Sequence, residues 1–120
     1  MSSIKVAVWG TLKNGHGNHF RLNNSKKISD DKLPNYRKEG LSLIKSKGSN
    51  VDVEVYDLDN KTYNQVDNFE RMFGYVALET KLESGIDALV WFDNKSFSDI
   101  LINEYSQTWT ELAEYDKMEY

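Results

Sequence analysis

The chain has 120 residues, a length that suits one domain, and its 15 basic and 19 acidic residues are interspersed to a formal net charge of −4. No basic stripe marks a nucleic-acid partner, and with no cysteine there is no disulfide framework, thiolate nucleophile or Cys-based zinc site. A hydrophobic content of 39% argues for a core, and with no signal-like N-terminal segment and no apolar run of bilayer length a cytoplasmic protein without a membrane partner is expected.

Residues 4–9 read as a first strand, with Val6 and Val8 apolar and β-branched. Residues 10–31 read as a long loop rich in Gly, Asn, Ser and Asp, and ordered loops of this length are commonly functional. Pro34, the single proline, argues against a helix through it. Residues 41–45 form a candidate strand and Lys47-Gly48-Ser49-Asn50 a turn signal. Val51-Asp52-Val53-Glu54-Val55 then alternates like a half-buried strand, so a hairpin of 41–45 with 51–58 is expected. Asp59 to Thr62 is a helix start, with capping-box spacing between Thr62 and Gln65; the helix should run from about residue 60 to 71 and be closed by Gly74. Residues 75–82 and 86–92 read as two strands about a Glu83-Ser84-Gly85 turn. Ser96 and Asp99 mark another helix start, with Phe97, Ile100, Leu101 and Tyr105 at helical spacing. Trp109, Leu112, Ala113 and Asp116 keep that spacing to the end. The sum is a single α+β domain over residues 1–120, with a strongly curled sheet or small barrel as its core.

Several motifs come close and fail. Gly10 and Gly15 have the spacing of a phosphate-binding loop, but His16-Gly17 stands where Lys and Ser/Thr are needed. Gly15-His16-Gly17 opens a dinucleotide fingerprint whose third glycine position is Phe20, with no βαβ unit around it. His16 and His19 are spaced to share a metal, but the pattern implies no third ligand; two loop histidines, one bonding backbone, is the plainer reading. No Gly-x-Ser-x-Gly turn marks a nucleophilic serine. Trp91, Trp109 and the tyrosines read as core or interface residues rather than a base-stacking platform.

Glu70 stands out. Helix neighbours lie three and four residues apart, so Tyr63, Val66 and Glu70 share the face that should pack inward. A carboxylate there is costly unless it finds a partner or a wet pocket, and burial raises its pKa and makes it a base near neutrality. The alternative is a rim carboxylate paired with a nearby Lys or Arg. Asp67 lies off that stripe and reads as a surface residue.

Together these segments resemble the gamma-glutamylcyclotransferase superfamily, closest to its gamma-glutamylamine cyclotransferase and AIG2-like branch. The family's opening strand and Tyr-Gly-Ser/Thr-Leu turn are matched by Trp9-Gly10-Thr11-Leu12-Lys13-Asn14-Gly15, and its Asn-His pair by Asn18-His19. Its central strand and helix look like Val55-Tyr56-Asp57-Leu58 through Val66-Asp67-Asn68-Phe69-Glu70, and Tyr75 looks like the aromatic after the Glu. The likeness covers roughly residues 4–92. It implies a mixed α/β fold on a small curled β-barrel, with a pocket between the Gly-Thr-Leu loop and the helix bearing Glu70. It implies a cofactor-independent, metal-free enzyme that cyclises a gamma-glutamyl amine or peptide to 5-oxoproline. Glu70 would be the general acid/base, and Trp9, Gly10, Thr11, Leu12 and Tyr75 would bind substrate. A small-molecule partner and a monomer or weak dimer are expected. Trp9 replaces the usual Tyr, exchanging a phenol for an indole N–H, and Arg71 stands where many members have Gly. Two other readings stay open: an inactive binding module on the same fold, and an interaction protein using residues 109–120.

Overall fold

The computed structural model describes residues 3–10, 12, 13, 15–22 and 25–93; the helical segments expected after Ser96 lie outside them. The elements are β1 (Ile4–Val8), a 3-10 turn (His19–Leu22), β2 (Lys26–Glu39), β3 (Ser42–Leu58), α1 (Asn60–Met72), β4 (Tyr75–Lys81) and β5 (Asp87–Asp93). They form one five-stranded sheet in the order β2-β3-β1-β5-β4. The short apolar run of β1 belongs at its centre: Val6, Ala7 and Val8 are buried on both faces. β1 runs antiparallel to β3 and parallel to β5, so the sheet is mixed, and the α+β class is as the sequence indicates.

Two cores flank the sheet. On one face Val6, Val8, Tyr56, Leu58 and Trp91 pack under α1 through Val66. On the other, Ala7, Val55, Val90 and Phe92 pack against Leu33, Tyr36 and Leu43 of the long β2–β3 hairpin. Alternate residues of each strand serve opposite cores, as the pleat requires. The helix follows the sequence closely. Its N-cap is Asp59, whose carboxylate accepts the Thr62 N–H at 2.7 Å, so the cap sits one turn earlier than the Thr62–Gln65 box expected.

The middle of the chain differs from the expected hairpin. Residues 42–58 are one strand, and its hairpin partner is β2, which begins in the last six residues of the expected loop and runs on through Pro34. β2 escapes notice because it is a lysine-rich edge strand in which only Leu33 and Tyr36 are buried, too few to make an apolar pattern. The hairpin turns at Gly40-Leu41. The turn signal at 47–50 makes a bulge instead: residues 46–49 of β3 face Asn35 alone. Gly48 takes φ 85° there and donates its N–H to Asn35 Oδ1 at 3.2 Å. No atom crowds a Cβ at Gly48. Gly48→Ala should therefore cost about 1–2 kcal/mol from backbone conformation alone, read as a lower urea midpoint at unchanged slope.

The hairpin curls the sheet over itself. Glu83 N–H donates to the Lys32 carbonyl at 2.9 Å, and Leu43 N–H reaches Asp93 Oδ1 at 3.4 Å. No ladder joins β2 to β4, so of the strongly curled sheet and the small barrel that the sequence leaves open, the structure has the curled, open sheet.

Candidate active site

β1 delivers the chain to Trp9 and Gly10, where a run of tight turns begins: Lys13 N–H donates to Gly10 C=O, and His16 N–H to Lys13 C=O. His19 then fastens the loop. Its Nδ1–H donates to the Leu12 carbonyl at 2.9 Å, and its ring leans on Tyr56 at 5.9 Å. His19 thus bonds backbone, and no cluster of three or more potential metal ligands occurs among the described residues.

Between this loop and α1 lies a cavity of about 260 Å³. Val8, Leu12 and Trp91, all buried, form its floor. Gly10, Asn18 and Glu70 bring polar groups to it, and Trp9 and Tyr75 wall it. Five residues singled out in the sequence, Trp9, Gly10, Leu12, Glu70 and Tyr75, therefore border one space; Thr11 lies outside the described residues. A Cβ added at Gly10 would meet nothing within 4 Å. Protein packing does not demand glycine there, and its missing side chain leaves the backbone open to close approach.

Glu70 is the electrostatic feature of the cavity. Burial pushes its carboxyl up from 4.5 to about 7, against the pull of the Arg21 guanidinium and with the help of Asp67. No salt bridge to it is found among the described residues, so the rim-pair alternative is not realised there. Arg21 instead lies over the Phe69 ring at 3.5 Å. Arg71 is drawn away to Asp67, its Nε donating to Oδ2 at 2.8 Å.

Asp67 corrects the sequence reading. It is buried, not a surface residue, and its Oδ1 accepts the Trp91 indole N–H at 3.0 Å. Trp9 also differs from expectation. Its indole N–H donates to the Trp91 carbonyl at 2.8 Å, so the ring walls the cavity while its donor serves the sheet. Tyr75 meets Trp9 edge-on at 6.1 Å between ring centres. Its hydroxyl donates to the Leu41 carbonyl, and burial, Glu70 and Asp93 together raise its pKa.

Sequence reasoning did not assign Leu41, Phe69, Phe73, Asn18 or Trp91 to the site, although all border the cavity. Phe69 and Phe73 stand one helical turn apart and meet ring to ring at 5.1 Å, a spacing visible in the sequence. Leu41 arrives by the fold-over of the hairpin, which has no local signal.

Known proteins give the same picture. The family described as "Gamma-glutamyl cyclotransferase, AIG2-like" matches residues 6–116. A Pyrococcus horikoshii protein named "Putative gamma-glutamylcyclotransferase PH0828" is 32% identical over 92 residues, covering 74% of this chain and 78% of its own. The crystal structure of that protein superposes with a TM-score of 0.65 over 75% of this chain and 77% of the other. YkqA from Bacillus subtilis shares the fold at a TM-score of 0.69 and 23% identity, over 78% of this chain and 36% of its own. So does a structure titled "Gamma-glutamyl cyclotransferase", at 0.62 and 15% identity, over 78% and 68%. With the family matched over almost its whole length, the chain belongs to the gamma-glutamyl cyclotransferase, AIG2-like family.

Proposed function

We propose that the protein is a cofactor-independent cyclotransferase that converts a gamma-glutamyl amine or short gamma-glutamyl peptide to 5-oxoproline and a free amine, with Glu70 as general acid/base. The observation that carries this reading is one carboxyl, raised to about 7 by burial and lacking a salt bridge among the described residues, facing the cavity that Gly10 opens. The substrate's α-ammonium must lose a proton before it can attack. Glu70 takes that proton, and the freed amine attacks the γ-carbonyl carbon to close a five-membered ring. The bond from that carbon to the leaving nitrogen then breaks as Glu70 returns the proton to it, so the enzyme ends as it began. Ring closure is intramolecular, and holding the chain folded supplies much of the rate. Backbone N–H groups at Gly10 and Leu12 are suited to the substrate carboxylate or the developing oxyanion, and Trp9 and Tyr75 to its flanks. Thr11 would join them. No helix among the described residues is long and apolar enough to cross a membrane, in keeping with a small-molecule enzyme of the cytoplasm.

The test is 5-oxoproline release from gamma-glutamyl amines, gamma-glutamyl amino acids and gamma-glutamyl-ε-lysine. A base that titrates at about 7 makes kcat/KM climb by about tenfold per pH unit below that value and level off above it. A profile flat from pH 5 to 8 would refute Glu70 as the base. One observation favours a second reading, a binding module without turnover: the Trp9 N–H is committed to Trp91 and offers a ligand no donor. Thermal stabilisation by these compounds with no product would decide for it.

A further inference from the structure

The polar groups of the cavity account for a glutamyl head: Gly10 backbone, Asn18 and Glu70. The other lining side chains are apolar or aromatic, and two of them are conspicuous. Leu41 and Phe73 are 67% and 65% exposed, and only four large apolar side chains among the described residues are exposed to this degree. Bulky apolar groups left open at the mouth of a pocket gain only when something apolar covers them.

We propose that the amine half of the substrate is uncharged and apolar, an aromatic or branched aliphatic amine, and that Leu41 and Phe73 select it; this rests on the cyclotransferase reading for the glutamyl half. Both side chains are held in place from separate elements. Leu41 sits in the β2–β3 turn, its carbonyl tied by the Tyr75 hydroxyl. Phe73 caps the C-terminus of α1 and packs on Phe69, whose ring also carries the Arg21 guanidinium.

Charge points the same way. Among the described lining residues the one carboxylate is Glu70, and no Lys or Arg lines the cavity. Two cations lie against lining side chains without lining the cavity themselves: Arg21, over Phe69 and bonded to Asn18 at the Glu70 end, and exposed Lys38, 6.0 Å from the Trp9 ring centre. A leaving amino acid would bring its carboxylate against the apolar Leu41 and Phe73, with no cation among the described lining residues. An amine with a second ammonium would pair with Glu70 and hold the base in a salt bridge. An apolar amine does neither, and it covers Leu41 and Phe73.

Binding to the Glu70→Gln variant reads this without turnover. Calorimetric titration should show γ-glutamylbenzylamine binding about tenfold or more tightly than γ-glutamylglycine, as burial of an added ring predicts. In Glu70→Gln carrying Leu41→Ser and Phe73→Ser the ratio should fall to about twofold. These two positions are exposed, and a melting curve confirms that the variant folds. Equal binding, tighter binding of the glycine compound, no binding of either, or a ratio unmoved by the two serines would overturn the proposal. Wild-type turnover judges the parent reading separately. Preference in binding with no 5-oxoproline from any gamma-glutamyl compound rejects the cyclotransferase and keeps the apolar subsite. Turnover of γ-glutamyl-ε-lysine with no preference for the benzylamide does the reverse.

Discussion

Glu70→Gln should lower kcat for 5-oxoproline release by about a hundred- to ten-thousand-fold, the range typical of a lost general acid/base. The amide keeps the size and shape of the side chain, so the cavity should persist and KM should change little. The same substitution should stabilise the fold at high pH. The folded carboxyl, raised to about 7 by burial, binds its proton more tightly than the unfolded one at 4.5. The native state therefore holds more protons in that window, and stability falls as pH rises through it. Below 4.5 both states are protonated and the penalty vanishes. With allowance for the water that still reaches this half-buried group, Glu70→Gln should exceed the wild type by about 1–2 kcal/mol above pH 8. At pH 4 the two should nearly coincide. Urea unfolding at both pH values measures the difference. A variant that is inactive but more stable places the cost at the carboxylate; a variant with full activity removes Glu70 from the chemistry.

Asp67→Ala should be the most damaging polar substitution on α1. It removes the acceptor of the Trp91 indole N–H, which is buried under the helix. An orphaned buried donor costs about 1–3 kcal/mol, whereas loss of the pair to the largely exposed Arg71 adds little. Asp67→Asn keeps an acceptor for the indole and should lose less. Because Trp91 floors the cavity, Asp67→Ala should also reduce kcat/KM, although Asp67 does not border the cavity itself. Chemical denaturation and steady-state kinetics on the two variants separate the effects. Equal stability of Asp67→Ala and wild type would show that the indole bond contributes nothing.

The contrast between Glu70 and Asp67 shows what the sequence could reveal. The apolar residues Tyr63, Val66 and Phe69 announce a helix face by local spacing, Glu70 shares the face of Tyr63 and Val66, and the structure places Glu70 on the cavity. Asp67 falls off the stripe, and its burial depends on a tryptophan brought from β5 by the sheet. Strands β4 and β5 and helix α1 carry their own periodicity and turns. Strand β2 does not: as a charged edge it is specified by β3, its partner in the ladder. Gly48 was legible as a special backbone position, but a turn residue looks the same whether it reverses a chain or bulges a strand. The cavity wall at Leu41 was out of reach for the same reason as β2, because curling of a hairpin over a sheet leaves no mark on the residues at its tip.

Because the sheet stays open between β2 and β4, the hairpin is joined across that gap by packed side chains and single bonds rather than by a ladder. Tyr36 and Leu43 are buried in the core with Phe92, and isolated bonds add to them, from the Tyr75 hydroxyl to the Leu41 carbonyl and from Leu43 to Asp93, with Glu83 and Lys32 joined farther along. Leu41 itself stands outside that core and is largely exposed, so this wall of the pocket can change its side chain while the core and the wall at Glu70 and Gly10 stay as they are. Under the proposed reading, natural variation at the hairpin tip would exchange one amine for another with Glu70 left untouched.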